Sequence, residues 1–375
     1  MKLYRNKKTN IYVFANSYKP VLGGIQTVAS QFAEGCQEKG INIFVVTNLY
    51  PLHLKIYERI SGVPVMRLPF VVPNGHLKNT LIFSFSFVVL FFLFLFRRPS
   101  YLYVHFPLSQ SFYLTRLHRI FDFKMITCFH GHDVLRYDEG YSKKSIQYEA
   151  QDKLLRLSIK VTACSCYLAR CVEKTFDCHN VEAVYNGVNL ARFRNLMPYP
   201  IIQANSHYLF AWGRLEHIKG FDLLIKAFAK CRNVDGLKLL IAGEGTQREI
   251  LQQMIDNLGL KDQVLLIGRL TPDDIVRYAQ NSDINVIPSL RESFGIVALE
   301  AIAAKRPVIS TNGGGLPEVM SEKYGLIVHA DVDEISFAIN RILSGKVNFD
   351  FSDVEEYLDD FTIPRMVDKY LSFIK

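Results

Sequence analysis

The sequence predicts an α/β protein built from two doubly wound domains facing each other across a cleft. Short apolar segments alternate with longer helix-like segments along the whole chain, the pattern of parallel strands covered by helices. The 375 residues suffice for two domains of ordinary size. The alternation is interrupted near 195–205, where Pro198, Pro200 and polar residues intervene.

In the first half, strands are expected at 11–15, 41–47, 63–68, 101–105, 124–129, 160–163 and 182–184, with helices at 24–39, 80–96, 110–121, 145–158 and 165–176. The second half repeats the scheme, with strands at 207–212, 237–242, 264–267, 284–288, 307–310 and 325–328. Its helices are expected at 221–231, 246–258, 272–280, 294–304 and 333–343. The domains are therefore set at 1–197 and 198–361. A terminal helix within 362–375, with no strand after it, is expected to pack back on the first domain. Ligands of such sheets bind at the carboxyl ends of the strands.

Hydrophobic residues make up 49% of the chain, enough for two cores and against wholesale disorder. The seven cysteines are irregularly spaced, which suits reduced thiols in a cytosol better than a disulfide framework. Cys164, Cys166, Cys171 and Cys178 beside His179 match no common zinc spacing. The basic start 1–8 runs directly into a strand, so no signal peptide is expected. Residues 1–200 carry 25 Lys and Arg against 12 Asp and Glu, and residues 201–375 carry 19 against 24. The basic half is expected to meet something anionic, a nucleic acid or a membrane surface.

Residues 81–96 are apolar all the way round, include seven phenylalanines, and end at Arg97-Arg98-Pro99. Sixteen helical residues rise about 24 Å, short of the roughly 30 Å hydrocarbon core. A simple span is thus not expected. Two readings stay open: a helix buried on its sheet, or one partly exposed that dips into a bilayer surface through Phe91 and Phe92, with Arg97 and Arg98 at lipid phosphates.

The chemistry-bearing residues concentrate after strands. Glu292 and Glu300 are two carboxylates eight positions apart around the start of a helix, with small and apolar residues between them. Free N–H groups at a helix N-terminus form an anion site. Two hydroxyl-accepting acids flanking a phosphate site match a sugar–diphosphate–ribose ligand. Gly213-Arg214 through Lys219-Gly220 follows another strand, and its two cations can converge on a pyrophosphate. Gly23-Gly24 and Gly313-Gly314-Gly315 permit close backbone approach, although the former lacks the third glycine of a dinucleotide fingerprint and a P-loop lysine. His130 falls at a strand's carboxyl edge beside His132 and Asp133, a conceivable but incomplete zinc set. Asp331 and Asp333 precede a helical run, where capping is the expected role.

Taken together, these residues resemble the retaining family 4 (group 1) glycosyltransferases of the GT-B architecture, with two Rossmann-like domains. The blocks occur in the family's order: Gly23-Gly24, His130, Tyr185-Asn186-Gly187-Val188, Gly213-Arg214 with Lys219-Gly220, Glu292 through Glu300, and Gly314 through Glu318. Each alone is unspecific. The resemblance implies that Arg214 and Lys219 hold the donor diphosphate and stabilise it as leaving group. It further implies that Glu292 holds the sugar hydroxyls, that Ser293, Phe294, Gly295 and Ile296 offer main-chain N–H groups, and that Glu300 accepts from the ribose. Gly243, Glu244, Gly268, Arg269 and Leu270 would lie near the base, while His130 and Gly24 would reach the donor from the first domain. Such enzymes retain anomeric configuration and generally need no metal, so no cofactor is expected. Asn189 departs from the usual Asp at a structural position.

The expected function is transfer from a nucleotide-sugar donor to a saccharide or lipid-linked acceptor in cell-surface polysaccharide or lipopolysaccharide synthesis. The expected location is cytoplasmic, peripheral on the cytosolic face of the inner membrane. The alternatives are an epimerase or hydrolase of the nucleotide sugar, and a non-catalytic nucleotide-sugar-binding partner. A nucleic-acid binder would explain the basic half but not the acidic half, so no nucleic acid is expected.

Overall fold

The computed structural model describes residues 10–20, 24–195, 207–231 and 236–374. The chain forms two compact units: residues 1–187 with 363–375, and residues 188–362. The interruption expected at 195–205 lies almost wholly outside the described residues.

In the first unit the strands are β1 (Asn10–Ala15), β2 (Asn42–Asn48), β3 (Tyr57–Ile60), β4 (Val63–Leu68), β5 (Tyr101–His105), β6 (Lys124–Phe129), β7 (Lys160–Ala163) and β8 (Glu182–Ala183). Its helices are α1 (Gly24–Glu38), α2 (Leu77–Phe96), α3 (Gln110–Leu117), α4 (His132–Leu135), α5 (Ile146–Leu157) and α6 (Cys166–Phe176). The sheet order is β3-β4-β2-β1-β5-β6-β7-β8, parallel except for β3 on β4. From β1 the chain winds outward through β2 and β4, then crosses through α2 to β5 on β1's other side. The direction of winding therefore reverses between β1 and β5.

The second unit contains α7 (Ala191–Asn195), β9 (Tyr208–Trp212), α8 (Phe221–Ala229), β10 (Lys238–Ala242), α9 (Arg248–Asn257), β11 (Val264–Gly268), α10 (Pro272–Asn281) and β12 (Ile284–Ile287). It continues with α11 (Ile296–Ala303), β13 (Val308–Thr311), β14 (Gly325–Val328), α12 (Val332–Leu343) and α13 (Val354–Asp359). All its strand pairs are parallel, in the order β11-β10-β9-β12-β13-β14, so the reversal falls between β9 and β12. Every residue of β9 and β12 is buried, as strands covered by helices on both faces must be.

The last helix, α14 (Ile363–Leu371), belongs to the first unit. Met366, Val367, Tyr370 and Leu371 enter the core formed by β1, α1 and β5, where Tyr370 lies edge-on to Phe32 and Tyr103. The Tyr103 hydroxyl donates to the Tyr370 carbonyl at 2.6 Å. A side chain on Gly187 would collide with the Ile363 backbone at 2.5 Å, so the start of α14 sits directly on that residue.

Among the local details, three depart from expectation and one agrees with it. The strand β3 was not foreseen, because Tyr57-Glu58-Arg59-Ile60 is an edge strand with no buried face. α2 begins at Leu77, one turn early. The helix after β12 begins at Ile296 rather than 294, because Gly295 takes a left-handed conformation (φ +107°) at its N-cap. Glu292 and Glu300 are therefore not on one continuous helix. Asp331 does cap α12, accepting from the Asp333 and Glu334 amides at 2.8 and 3.1 Å.

Candidate active site

In the second unit, the loops leaving β9, β12 and β13 converge at the carboxyl ends of their strands. The loop after β9 (213–220) is sewn to the loop after β12: Leu290 N–H donates to the Ile218 carbonyl at 2.9 Å. Gly220 sits so close that a Cβ there would lie 2.0 Å from the Pro288 carbonyl oxygen, and its φ of +65° suits glycine. The Gly313-Gly314-Gly315 loop after β13 closes the third side. Glu292 N–H donates to Gly313 O at 3.3 Å, and Gly315 N–H donates to Glu292 O at 2.8 Å.

These contacts bring two predicted residues together. Lys219 Nζ pairs with Glu292 Oε1, and Ser289 Oγ donates to the same oxygen at 3.0 Å. Both side chains keep little exposure, 15% for Lys219 and 14% for Glu292. The pair straddles the crevice between β9 and β12, where the winding reverses and where open α/β sheets bind ligands. Arg214, in the same loop as Lys219, is exposed and makes no ion pair among the described residues.

Glu300 lies in the second turn of α11, partly buried, and accepts from Trp212 Nε1 at 3.3 Å. Burial pushes its carboxyl up to about 6, against the lowering effect of the Trp212 hydrogen bond and of Arg192. No side chain caps α11; the Ala298 and Leu299 N–H groups turn back to the Gly295 carbonyl at 2.9 and 3.4 Å, Ile296 opens the helix, and Ser293, Phe294 and Gly295 form its approach. Phe294 is buried. The remaining predicted residues collect around β10. Gly243 N–H donates to Gly268 O at 2.7 Å, and Gly213 N–H to Ala242 O at 3.0 Å. Glu244 is exposed and pairs with Arg248 at 3.4 Å, and Arg269 is exposed.

In the first unit, His130 follows β6 directly. Its Nε2 lies 2.9 Å from Nδ1 of His105, the last residue of β5, and the two rings stack at 5.1 Å. Both are buried. Burial holds His130 down at about 4 and His105 well below the ordinary imidazole range, so both rings are neutral near pH 7. Neither His105 Nε2 nor His130 Nδ1 finds a further partner among the described residues. Asp133, wholly buried, accepts from the His130 and Gly131 amides at 3.0 and 2.7 Å. Burial raises its carboxyl to about 7 despite those donors.

Two predicted sets need correction or restriction, and a third, His130, His132 and Asp133, stands in the sequence only as an incomplete zinc set. Asp133 points at backbone N–H groups and His132 faces Glu139 at 3.9 Å, so His130, His132 and Asp133 do not converge. No group of three His, Cys, Asp or Glu side chains is placed to hold a metal ion among the described residues. Phe91 does not face outward: it is half-buried against Phe121, with ring centroids 5.3 Å apart, whereas Phe92, Arg97 and Arg98 are exposed. Gly23 lies outside the described residues, and Gly24 is described only as the first residue of α1.

Sequence reading missed Ser289, Trp212 and His105. Each carried a signal: Ser289 stands three residues before Glu292, Trp212 is the sole tryptophan and ends a strand, and His105 ends the strand adjacent to the one before His130.

The comparisons with known proteins agree with this architecture. The family described as "Glycosyl transferases group 1" matches residues 197–355, and "Glycosyltransferase Family 4" matches residues 22–192. An uncharacterised glycosyltransferase of Methanocaldococcus jannaschii is 28% identical over 342 residues, covering 87% of each chain. A human phosphatidylinositol N-acetylglucosaminyltransferase component is 25% identical over 349 residues, covering 90% of this chain and 69% of its own. The crystal structure of Anabaena HepE in complex with UDP and glucose superimposes with a TM-score of 0.77 at 19% identity, covering 97% of this chain and 98% of that one. With two family matches that between them run from residue 22 to residue 355, on two doubly wound units, the chain belongs to the group 1, family 4 glycosyltransferases of the GT-B fold.

Proposed function

We propose that this glycosyltransferase takes a nucleotide-sugar donor on its second unit and transfers the sugar, with retained configuration, to a saccharide or lipid-linked acceptor in cell-surface polysaccharide or lipopolysaccharide synthesis. The Lys219–Glu292 pair at the winding reversal, beside the exposed Arg214, carries this reading. A diphosphate entering the crevice offers Lys219 a second anion. The ammonium and the Arg214 guanidinium then neutralise the charge that develops as the sugar–phosphate bond breaks. Glu292, held by Ser289, is left to accept from sugar hydroxyls. Glu300, oriented by Trp212, accepts from the ribose. The acceptor hydroxyl attacks from the face the diphosphate is leaving, and a phosphate oxygen takes its proton. His130 contributes a neutral hydrogen-bonding ring. In this reading the two cations take the neutralising role of a divalent ion, so activity persists in chelator. The HepE complex with UDP and glucose and the N-acetylglucosaminyltransferase name of the human relative support the donor class. The enzyme is proposed to work at the cytosolic membrane face.

The test is nucleoside diphosphate release from a panel of nucleotide sugars, with chelator present, with and without a lipid extract as acceptor. Lys219→Ala and Glu292→Ala are expected to lower kcat/KM about 100-fold or more. Nucleoside diphosphate release without acceptor would assign the chain to hydrolysis, and conversion of the donor to an isomeric nucleotide sugar without such release would assign it to epimerisation. Undiminished cellular function of both variants would leave a binding-only role.

A further inference from the structure

α2 is the one helix among the described residues that is long and apolar enough to cross a membrane by length and composition. The structure divides its surface sharply. Leu90 and Phe94 are fully buried, Phe94 among Tyr12, Phe14 and Phe123, and Ser86 Oγ donates to the Pro69 carbonyl at 3.0 Å. Its end is tied to β1, where the Tyr12 hydroxyl donates to Arg97 O at 2.8 Å. The opposite side is open. Leu77, Leu81, Phe85, Val88, Phe92 and Phe96 are each half or more exposed. Steps of four, four, three, four and four residues place them on one helical face along the full length of α2.

A stripe of this extent on a water-facing helix needs an occupant. The charge around it selects one. Between Glu58 and Asp122 the chain carries no acidic residue at all, but it does carry Arg59, Lys78, Arg97, Arg98, Arg116 and Arg119, all exposed. Lys78 stands at one end of the stripe and Arg97-Arg98 at the other. The Arg116 guanidinium lies 5.1 Å from the Phe83 ring centre on α2's flank. An apolar strip with cations at both ends complements a bilayer with anionic headgroups; the one exposed acid beside it is Asp122, next to Phe121, which packs on Phe91 and Phe94.

We propose that α2 lies in the plane of an anionic lipid surface, with the Leu77–Phe96 stripe in the acyl boundary and Lys78, Arg97 and Arg98 at the phosphates. A transmembrane position would pull Leu90 and Phe94 out of the sheet and open the first unit's core. The proposal adds a docking surface to the functional reading above and rests on that reading only for its biological purpose.

The experiment is flotation of the full chain with phosphatidylcholine vesicles, with and without phosphatidylglycerol. The parent is expected to float with the anionic vesicles and to be released by carbonate. Phe85→Ser/Phe92→Ser is expected to weaken binding about 100-fold, about tenfold for each buried ring, with an unchanged circular dichroism spectrum. Arg97→Gln/Arg98→Gln is expected to weaken binding to the anionic vesicles alone. Phe92→Trp is expected to be quenched by brominated acyl chains, since the native Trp212 is buried in the second unit. A parent that stays unbound, a serine variant that binds as tightly, or an unquenched Phe92→Trp would overturn the proposal. So would resistance to carbonate, which marks a span, or a parent dimer that the serine variant loses, which marks a protein interface. Thermal stabilisation by nucleotide sugars reads the second unit separately, so failure of donor binding and failure of docking are told apart.

Discussion

His105 Nδ1 and His130 Nε2 lie 2.9 Å apart at the ends of adjacent strands, and one must donate to the other. Two protonated rings cannot share that contact, and burial already disfavours the charged form of each. The pair is therefore a neutral hydrogen-bonding unit with one N–H between two nitrogens.

The first prediction concerns pH. His130 should remain neutral on lowering pH from 7.5 to about 5, since its ring is held at about 4. Histidine NMR of the full chain checks this, and an imidazole titrating near 6.5 at this position would refute it. The neighbouring group that titrates near neutrality is Asp133, at about 7. Its folded-state value is raised, so its stabilising contribution is present below the ordinary carboxyl value and is lost as pH rises from about 4 to about 7. The loss is on the order of 4 kcal/mol. Asp133→Asn, which stays uncharged, should show a shallower fall in stability over that window in urea titrations.

The second prediction concerns Glu300, whose carboxyl sits at about 6 because it is buried. The sign is the same: stability is lost as pH rises from about 4.5 to about 6, by about 2 kcal/mol. Donor binding should run the other way, strengthening over this range as the carboxylate becomes an acceptor for the ribose. Glu300→Gln should stabilise the second unit above pH 6 and weaken donor affinity. It should also erase the inflection near 6, as read by isothermal titration with a nucleoside diphosphate. An inflection that survives the substitution would place the titrating group elsewhere.

A third prediction separates backbone strain from collision. A Cβ on Gly243 would lie 1.8 Å from the Gly213 carbonyl oxygen, and one on Gly314 would lie 2.2 Å from Glu292 O. Gly345 also has a positive φ, +67°, but open space around it. Gly345→Ala should cost only about 1 kcal/mol, whereas Gly243→Ala and Gly314→Ala should each cost about 3 kcal/mol or more. Urea unfolding followed by Trp212 fluorescence reports the second unit directly. Equal costs at all three positions would show that the loops yield.

Much of this architecture was legible because buried parallel strands are written as short apolar runs. Val63–Leu68, Tyr101–His105 and Gly325–Val328 coincide with their predicted limits. The Lys219 and Glu292 motifs were legible as residue types, but their pairing was not. It depends on the β9–β12 adjacency, which joins residues 73 positions apart. His105 escaped notice for the same reason, since only sheet order sets it beside His130. The exposed face of α2 could not be read from periodicity, because every turn of residues 81–96 is apolar and only packing distinguishes one side from the other. Gly295 explains the shortened α11: its left-handed backbone delays the helix that a purely apolar pattern would start earlier.

The connection at Gly187 and the return at Ile363 make the second unit an insertion between two parts of the first. During synthesis, the sheet of eight strands must wait, with the slot for Met366 and Tyr370 empty, while some 175 intervening residues emerge. The inserted unit can therefore finish folding before its host does. A polypeptide stopped just short of α14 would carry an intact second unit and a first unit whose core lacks Met366, Val367, Tyr370 and Leu371.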